Sequence, residues 1–146
     1  MLQAALDRLE AEGVRVLAAA PAIETDPIGP SIRRYANSAA VIETDIEPEA
    51  LLALLKRIEH DFGRRAGGQR WRARVIDLDI MLWSGGAYGS ADLTIPHPLF
   101  RERAFVLAPA LAVAPDWRDP ITGLTLRQLH ARLTRQQALP KRVGGP

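Results

Sequence analysis

Leu2, Leu6 and Leu9 recur at helical spacing among charged residues, and Gly13 supplies a stop, so residues 2–12 predict an amphipathic helix. Val14 to Ile23 is short, apolar and partly β-branched, which predicts a strand. The stretch ETDPIGP (24–30) breaks it with prolines and a glycine. NSAAVIET (37–44) predicts a second strand. Pro48 suits a first helical turn, where its missing N–H costs nothing, and Glu47 and Glu49 favour the positive helix start. Leu51, Leu55, Ile58 and Phe62 then form one stripe, with Gly63 as the expected end. Residues 64–73, rich in Gly and Arg, read as a loop. In RVIDLDIMLW (74–83) the side chains alternate: Ile76, Leu78, Ile80 and Leu82 share one strand face, and Val75, Asp77, Asp79 and Met81 the other. SGGAYGSAD (84–92) reads as a turn, followed by a short strand at 93–95, a short helix near 99–106 and a final helix over 125–133.

The order is helix, strand, strand, helix, strand, with additions. That order predicts an α+β, ferredoxin-like sandwich: one antiparallel sheet, an added C-terminal strand and helix, and a start one strand late relative to a βαββαβ unit. With 146 residues, no repeat and no linker, the chain predicts a single domain over 1–135 and a disordered tail over 136–146.

Hydrophobic residues make up 47% and charged residues 25%, which excludes a disordered tail protein, a collagen-like fibre or a coiled-coil rod. There is no cysteine, hence no disulfide framework, thiolate zinc site or cysteine nucleophile, and a reducing cytoplasm is the expected location. No apolar run approaches the roughly 20 residues of a membrane span. LQAALDRLEAEG after Met1 lacks the apolar core of a secretion signal. Net charge is only +2, yet Arg64, Arg65, Arg70, Arg72 and Arg74 cluster, with Arg101 and Arg103 further on. Such clustering favours an anionic partner. Aromatic residues are 5% and do not interleave with the basic run, so a small phosphate-bearing ligand is expected and nucleic acid is not.

Asp77 and Asp79, at i and i+2 on a strand, place two carboxylates on one side with side-chain origins about 6–7 Å apart. Burying two unpaired acids costs several kcal/mol. A hard cation removes that cost, and carboxylates with nucleotide phosphates are how Mg²⁺ is usually held. Pairing with nearby arginines is the bland alternative. Arg64, Arg70 and Arg74 can clamp phosphates bidentately or simply face solvent. Gly67 and Gly68 suit a closing lid as well as any exposed turn. His97, between two prolines in TIPHP, is a phosphate contact or a structural histidine. His60 and His130 lie on helices and read as surface residues. No Ser-His-Asp set, HExxH or GxxxxGK[ST] loop is present.

ETDPIG (24–29), YANSAAVIET (35–44), RIEHDFGRR (57–65), RWRARVIDLDIM (70–81) and LTIPHPLFRERAFVL (93–107) together resemble the 6-hydroxymethyl-7,8-dihydropterin pyrophosphokinases of folate biosynthesis. The pieces follow the family's order and spacing over residues 1 to about 125. The resemblance implies transfer of pyrophosphate from ATP to the pterin hydroxymethyl group, releasing AMP, with two Mg²⁺ ions. It implies metal binding by Asp77 and Asp79, and nucleotide and phosphate contacts from Arg64, Arg74 and His97. Glu59, Ile80 and Thr94 match positions lining the nucleotide, Trp71 the lid tryptophan, and Arg103 a basic residue near the transferred phosphates. Tyr35, Asn37 and Phe105 match the pterin pocket, with Thr25 and Ile28 contributing backbone contacts. A flat, amide-rich pterin does call for ring stacking and fixed hydrogen-bond partners. The substrates are small molecules, and a monomer is expected.

The sequence departs from the family pattern in three ways. The opening strand and Gly-Ser-Asn loop have no counterpart, which would leave neighbouring strands without ladder partners. The usual Trp-Gly-Pro-Arg reads Trp71-Arg72-Ala73-Arg74, and the second loop arginine reads Ala66, with Arg65 beside it. The alternative to an active enzyme is an N-terminally truncated, inactive or weakly active ligand-binding remnant. A basic nucleic-acid module ranks below both, because Asp77 and Asp79 would repel a phosphate backbone.

Overall fold

The computed structural model describes residues 2–25, 35–65 and 76–138, with backbone only at positions 24, 25, 35, 64, 65, 137 and 138. It is an α+β protein with small antiparallel sheets. Its residues cluster into two compact units: Met1–Ala19 with Ala40–His97, and Ala20–Ala39 with Pro98–Pro146.

The first unit begins with helix α1 (Leu2–Ala11). Its C-terminus is closed by two backbone bonds: Gly13 N–H donates to the Glu10 carbonyl, and Val14 N–H reaches back to the Leu9 carbonyl, both at 3.0 Å. This six-to-one plus five-to-two pattern needs a left-handed residue, and Gly13 has φ +91°. Val14 and Leu9, the residues that such a cap brings together, are both buried in the core. Gly13→Ala is therefore expected to destabilise the protein by about 1 kcal/mol, read as a lower urea midpoint at unchanged slope.

Strand β1 (Arg15–Ala19) pairs antiparallel with β4 (Ala40–Glu43), with Arg15 opposite Glu43 and Ala19 opposite Ala40. The register slips between Val16 and Ala18, so Leu17 is the extra residue of a bulge and is exposed. Helix α2 (Pro48–Arg65) carries the core of this unit. Its Leu51, Leu54, Leu55, Ile58 and Phe62 pack with Ala5 and Leu9 of α1 and with Ile76, Ile80, Leu93 and Ile95. Each such large side chain contributes about 1.5–3 kcal/mol on full burial. Arg8 bridges Glu12 at 2.8 Å and Asp61 at 2.9 Å, tying α1 to α2. The hairpin of β5 (Tyr88–Gly89) and β6 (Thr94–Ile95) is moored to the start of α2, where Glu49 accepts from the Tyr88 and Ser90 hydroxyls.

In the second unit β2 (Ile23–Thr25) pairs with β3 (Tyr35–Asn37), Thr25 opposite Tyr35 and Ile23 opposite Asn37. A 3₁₀ turn, Phe100–Glu102, leads into α3 (Ala104–Val113), which packs against α4 (Leu126–Ala138). Thr125 caps α4 reciprocally: its hydroxyl accepts from Gln128 N–H at 3.1 Å, and the Gln128 amide oxygen accepts from Thr125 N–H at 2.9 Å.

Several expectations are corrected. The single antiparallel sheet is, among the described residues, three two-stranded sheets. Each of the first two expected strands is divided, the first at Ala20–Ala22, where Pro21 lacks the N–H a ladder needs. Residues 76–83 join no strand ladder among the described residues; their burial alternates as expected over 76–80 and no longer does over 81–83, which are all half-buried. Helix α2 passes through Gly63 to Arg65, because burial of Phe62 outweighs the roughly 1 kcal/mol penalty of one glycine. The short helix near 99–106 is a 3₁₀ turn plus a helix running to Val113 through Pro109. The added C-terminal strand is an isolated bridge between Arg118 and Thr125. The final helix, expected over 125–133, runs from Leu126 to Ala138, and residues 139–146 lie outside the described residues. Among the described residues no helix is long and apolar enough to cross a membrane.

Candidate active site

The segment 76–80 is held by its apolar side. Ile76 and Ile80 are buried in the core of the first unit and Leu78 packs against it, which leaves Asp77 and Asp79 exposed between them. Period-two alternation thus sets two carboxylates side by side in water rather than in the core. The side chain of Asp79 is 59% exposed, and Asp77 is exposed as well, so desolvation is a small cost for either acid.

His97, two residues beyond β6, closes on this segment. His97 donates its backbone N–H to the Met81 carbonyl at 3.0 Å, and its Nε2 lies 3.9 Å from Asp79 Oδ2. A residue from 18 positions downstream is thereby fixed beside the acidic pair. Thr94 is exposed on β6 opposite Gly89. Glu59, on α2, is buried; its Oε2 accepts the Leu78 N–H at 2.6 Å and its Oε1 lies 3.5 Å from Lys56 Nζ. Ile80, expected along the nucleotide, belongs to the hydrophobic core.

In the second unit Asn37 is half-buried in β3. Arg103 is the residue before α3 and Phe105 lies in its first turn, with the Arg103 guanidinium carbon 5.8 Å from the Phe105 ring centroid. A cation over a ring at that distance is mildly attractive and keeps both groups together at the helix start. Thr25 and Tyr35 are paired through their backbones. Arg64 is placed by its backbone alone, at the end of α2. Ile28, Trp71 and Arg74 lie outside the described residues, as do Arg70, Gly67 and Gly68.

Sequence reasoning missed one strong interaction beside Arg103. Arg101 grips Asp119 with two parallel bonds, Nε to Oδ2 at 2.6 Å and Nη2 to Oδ1 at 2.7 Å. Asp119 is fully buried and also accepts from Ile121 N–H at 3.0 Å and the Thr122 hydroxyl at 2.7 Å. The Arg101 guanidinium holds its carboxyl at about 2, against an ordinary 3.8, with the Thr122 and Ile121 donors acting in the same direction and burial against it. No local pattern announces this pair. Only the coincidence of an arginine before α3 and an aspartate in the tight APDWRDPITG stretch could have suggested it.

Two exposed carboxylates are hard oxygen donors that suit Mg²⁺, which is usually held by one or two carboxylates plus phosphate and water. Among the described residues no three His, Cys, Asp or Glu side chains converge on a metal. A cation at Asp77 and Asp79 would therefore complete its shell with ligand oxygens and water, and the donor set fits that use.

These features define an α+β protein with an acidic pair and a neighbouring histidine suited to a phosphorylated ligand. The model of the 7,8-dihydro-6-hydroxymethylpterin-pyrophosphokinase family matches residues 1–115. The chain belongs to that family. It is 38% identical over 135 residues to a 2-amino-4-hydroxy-6-hydroxymethyldihydropteridine pyrophosphokinase of Methylorubrum extorquens, covering 91% of this chain and 84% of that protein. A protein of the same name from Pseudomonas aeruginosa is 39% identical over 121 residues, covering 82% of this chain and 74% of its own length. A third, from Synechocystis, is 40% identical over 101 residues, and this chain spans about half of it, 51%.

Proposed function

We propose that this chain transfers pyrophosphate from ATP to the hydroxymethyl group of 6-hydroxymethyl-7,8-dihydropterin, giving AMP and the pterin diphosphate for folate synthesis. The observation that carries the reading is the exposed pair Asp77 and Asp79, backed by buried Ile76 and Ile80 and flanked by His97 at 3.9 Å, in a chain of this family. The pterin hydroxyl oxygen attacks the β-phosphorus. The bond from that phosphorus to the bridging oxygen breaks, the bridging oxygen leaves with AMP, and the hydroxyl proton is lost.

Asp77 and Asp79 would hold two Mg²⁺ ions, which supply neutralisation of phosphate charge as the bridge breaks. His97, Arg103, Arg64 and Arg74 are assigned to the phosphates, each as a donor to non-bridging oxygens. Thr94, Ile80 and Trp71 are assigned to the nucleotide side, Trp71 as a cover that keeps water out, whereas Glu59 is too buried for direct contact. Asn37 provides fixed hydrogen bonds to the pterin, Tyr35 and Phe105 flank its ring, and Thr25 and Ile28 contribute backbone. A primary alcohol needs alignment more than a strong base, so the assigned residues position and neutralise rather than abstract. A ferredoxin-like sandwich, a monomer and a cytoplasmic location complete the reading.

The test is a calorimetric titration with α,β-methylene-ATP, which cannot yield AMP, in magnesium and in a chelator. Binding at least tenfold tighter with magnesium is expected. Equal affinity in both conditions would remove the metal from the site.

A further inference from the structure

The segment that carries Asp77 and Asp79 joins no strand ladder among the described residues, where individual bonds hold its backbone. Two of them are specific. Met81 gives its carbonyl to His97 N–H at 3.0 Å, and Leu78 gives its N–H to Glu59 Oε2 at 2.6 Å. The second falls between the two aspartates. The Leu78 amide belongs to the peptide plane that joins Asp77 to Leu78, so rotating that plane swings the Asp77 side chain relative to Asp79. The bond to Glu59 restrains that rotation.

We infer that Glu59 is a positioning residue for the acidic pair: a buried helix carboxylate that fixes the Asp77–Leu78 peptide and with it the separation of the two carboxylates. This deepens the function proposed above and rests on it. Glu59 lies beside Ile58 and three residues before Phe62, both in the core, where an apolar residue would cost nothing to bury. An acid there carries a desolvation cost of several kcal/mol unless it is hydrogen-bonded. Its side chain is 7% exposed, so it has little surface to offer a ligand directly. One oxygen takes the Leu78 N–H. The other faces Lys56, whose half-exposed ammonium tethers it from the solvent side at 3.5 Å. A charged acceptor makes a shorter and stronger bond to an amide than a neutral one. Leu78 itself packs inward, so the same residue is held by its side chain in the core and by its N–H on α2. Between those two restraints the outward directions of Asp77 and Asp79 are defined.

The experiment uses the whole chain and follows α,β-methylene-ATP binding by calorimetry across a magnesium series, with pterin affinity measured separately. Glu59→Asp keeps the charge but draws the acceptor back by one methylene. It is expected to raise the magnesium concentration for half-maximal binding about tenfold while leaving pterin affinity within twofold. Glu59→Gln retains an oxygen that can accept the same N–H and should stay within threefold of the parent. If the aspartate variant does not fold, Glu59→Met, which fills the volume without accepting, replaces it with the same expectation. A magnesium requirement unchanged in Glu59→Asp or Glu59→Met overturns the positioning role while the function stands. A fall in pterin affinity matching the loss for magnesium also overturns it, since that would mean general loosening. A parent chain with no magnesium-dependent binding at all would overturn the functional reading, and the positioning role with it.

Discussion

Asp79→Ala is expected to lower turnover about a thousandfold while leaving the fold intact. The side chain is more than half exposed and makes no core contact, so its removal leaves no cavity and strands no buried partner. Surface changes of that kind stay within about 0.5 kcal/mol of the parent. The loss therefore falls on function. With one carboxylate gone, Asp77 alone faces the incoming phosphates, and His97 loses the acid lying 3.9 Å from its Nε2. Removing a single preorganised group that stabilises developing charge costs on the order of 10²–10³ in rate, and an acid that would hold the proposed cations belongs at the upper end. Thermal melting and steady-state kinetics on the same preparation check both halves. Near-parental turnover would contradict the assignment of the acidic pair.

The largest effect on stability is expected at Arg101. Arg101→Ala leaves the Asp119 carboxylate fully buried with only Thr122 and Ile121 as donors. Breaking a buried pair from one side costs about 3–5 kcal/mol, because the remaining charge is uncompensated. Replacing both partners, as Arg101→Met with Asp119→Leu, should recover most of that loss. The pH dependence has a definite sign. The folded carboxyl titrates at about 2 and the unfolded one at the ordinary 3.8, so the pair's contribution is complete above about pH 4 and disappears as pH falls through 2. It amounts to roughly 2 kcal/mol. In Arg101→Ala burial acts without the guanidinium and pushes the carboxyl up, so acidification neutralises the stranded charge. The deficit against the parent should narrow from pH 7 to pH 4, as urea midpoints would record. A constant deficit would mean that Asp119 contributes by shape alone.

What could be read from the sequence was local, and what could not was pairing at a distance. The helix stops illustrate both. Gly13 ends α1 because Val14, just beyond it, is apolar and can join Leu9 in the core. Gly63 carries the same local signal and fails, since Phe62 holds the next turn in place by burial. The alternation through 76–80 showed correctly which residues face the core, but it breaks further on, where Trp83 rather than Leu82 packs against that core, and it carries no information about ladder partners, of which there are none among the described residues. A short helix was expected near 99–106, ahead of Pro109. Yet the helix continues through it, with Leu107, Pro109 and Ala110 all buried. Asp77 and Asp79 were found by their spacing, and His97 by the resemblance of TIPHP to the family. The proximity of His97 to Asp79, the use of Glu59 as acceptor for Leu78 and the grip of Arg101 on Asp119 each join positions 18 or 19 apart, beyond any helical or strand period.

The reaction assigned to this chain differs from ordinary kinase chemistry in which phosphorus is attacked, and phosphorus resonances report that directly. ³¹P spectra of the protein incubated with ATP, magnesium and 6-hydroxymethyl-7,8-dihydropterin should show AMP and a pterin diphosphate growing in equal amounts, and neither without the pterin. ADP with a pterin monophosphate, or nucleotide left intact beside a folded protein, would contradict the account.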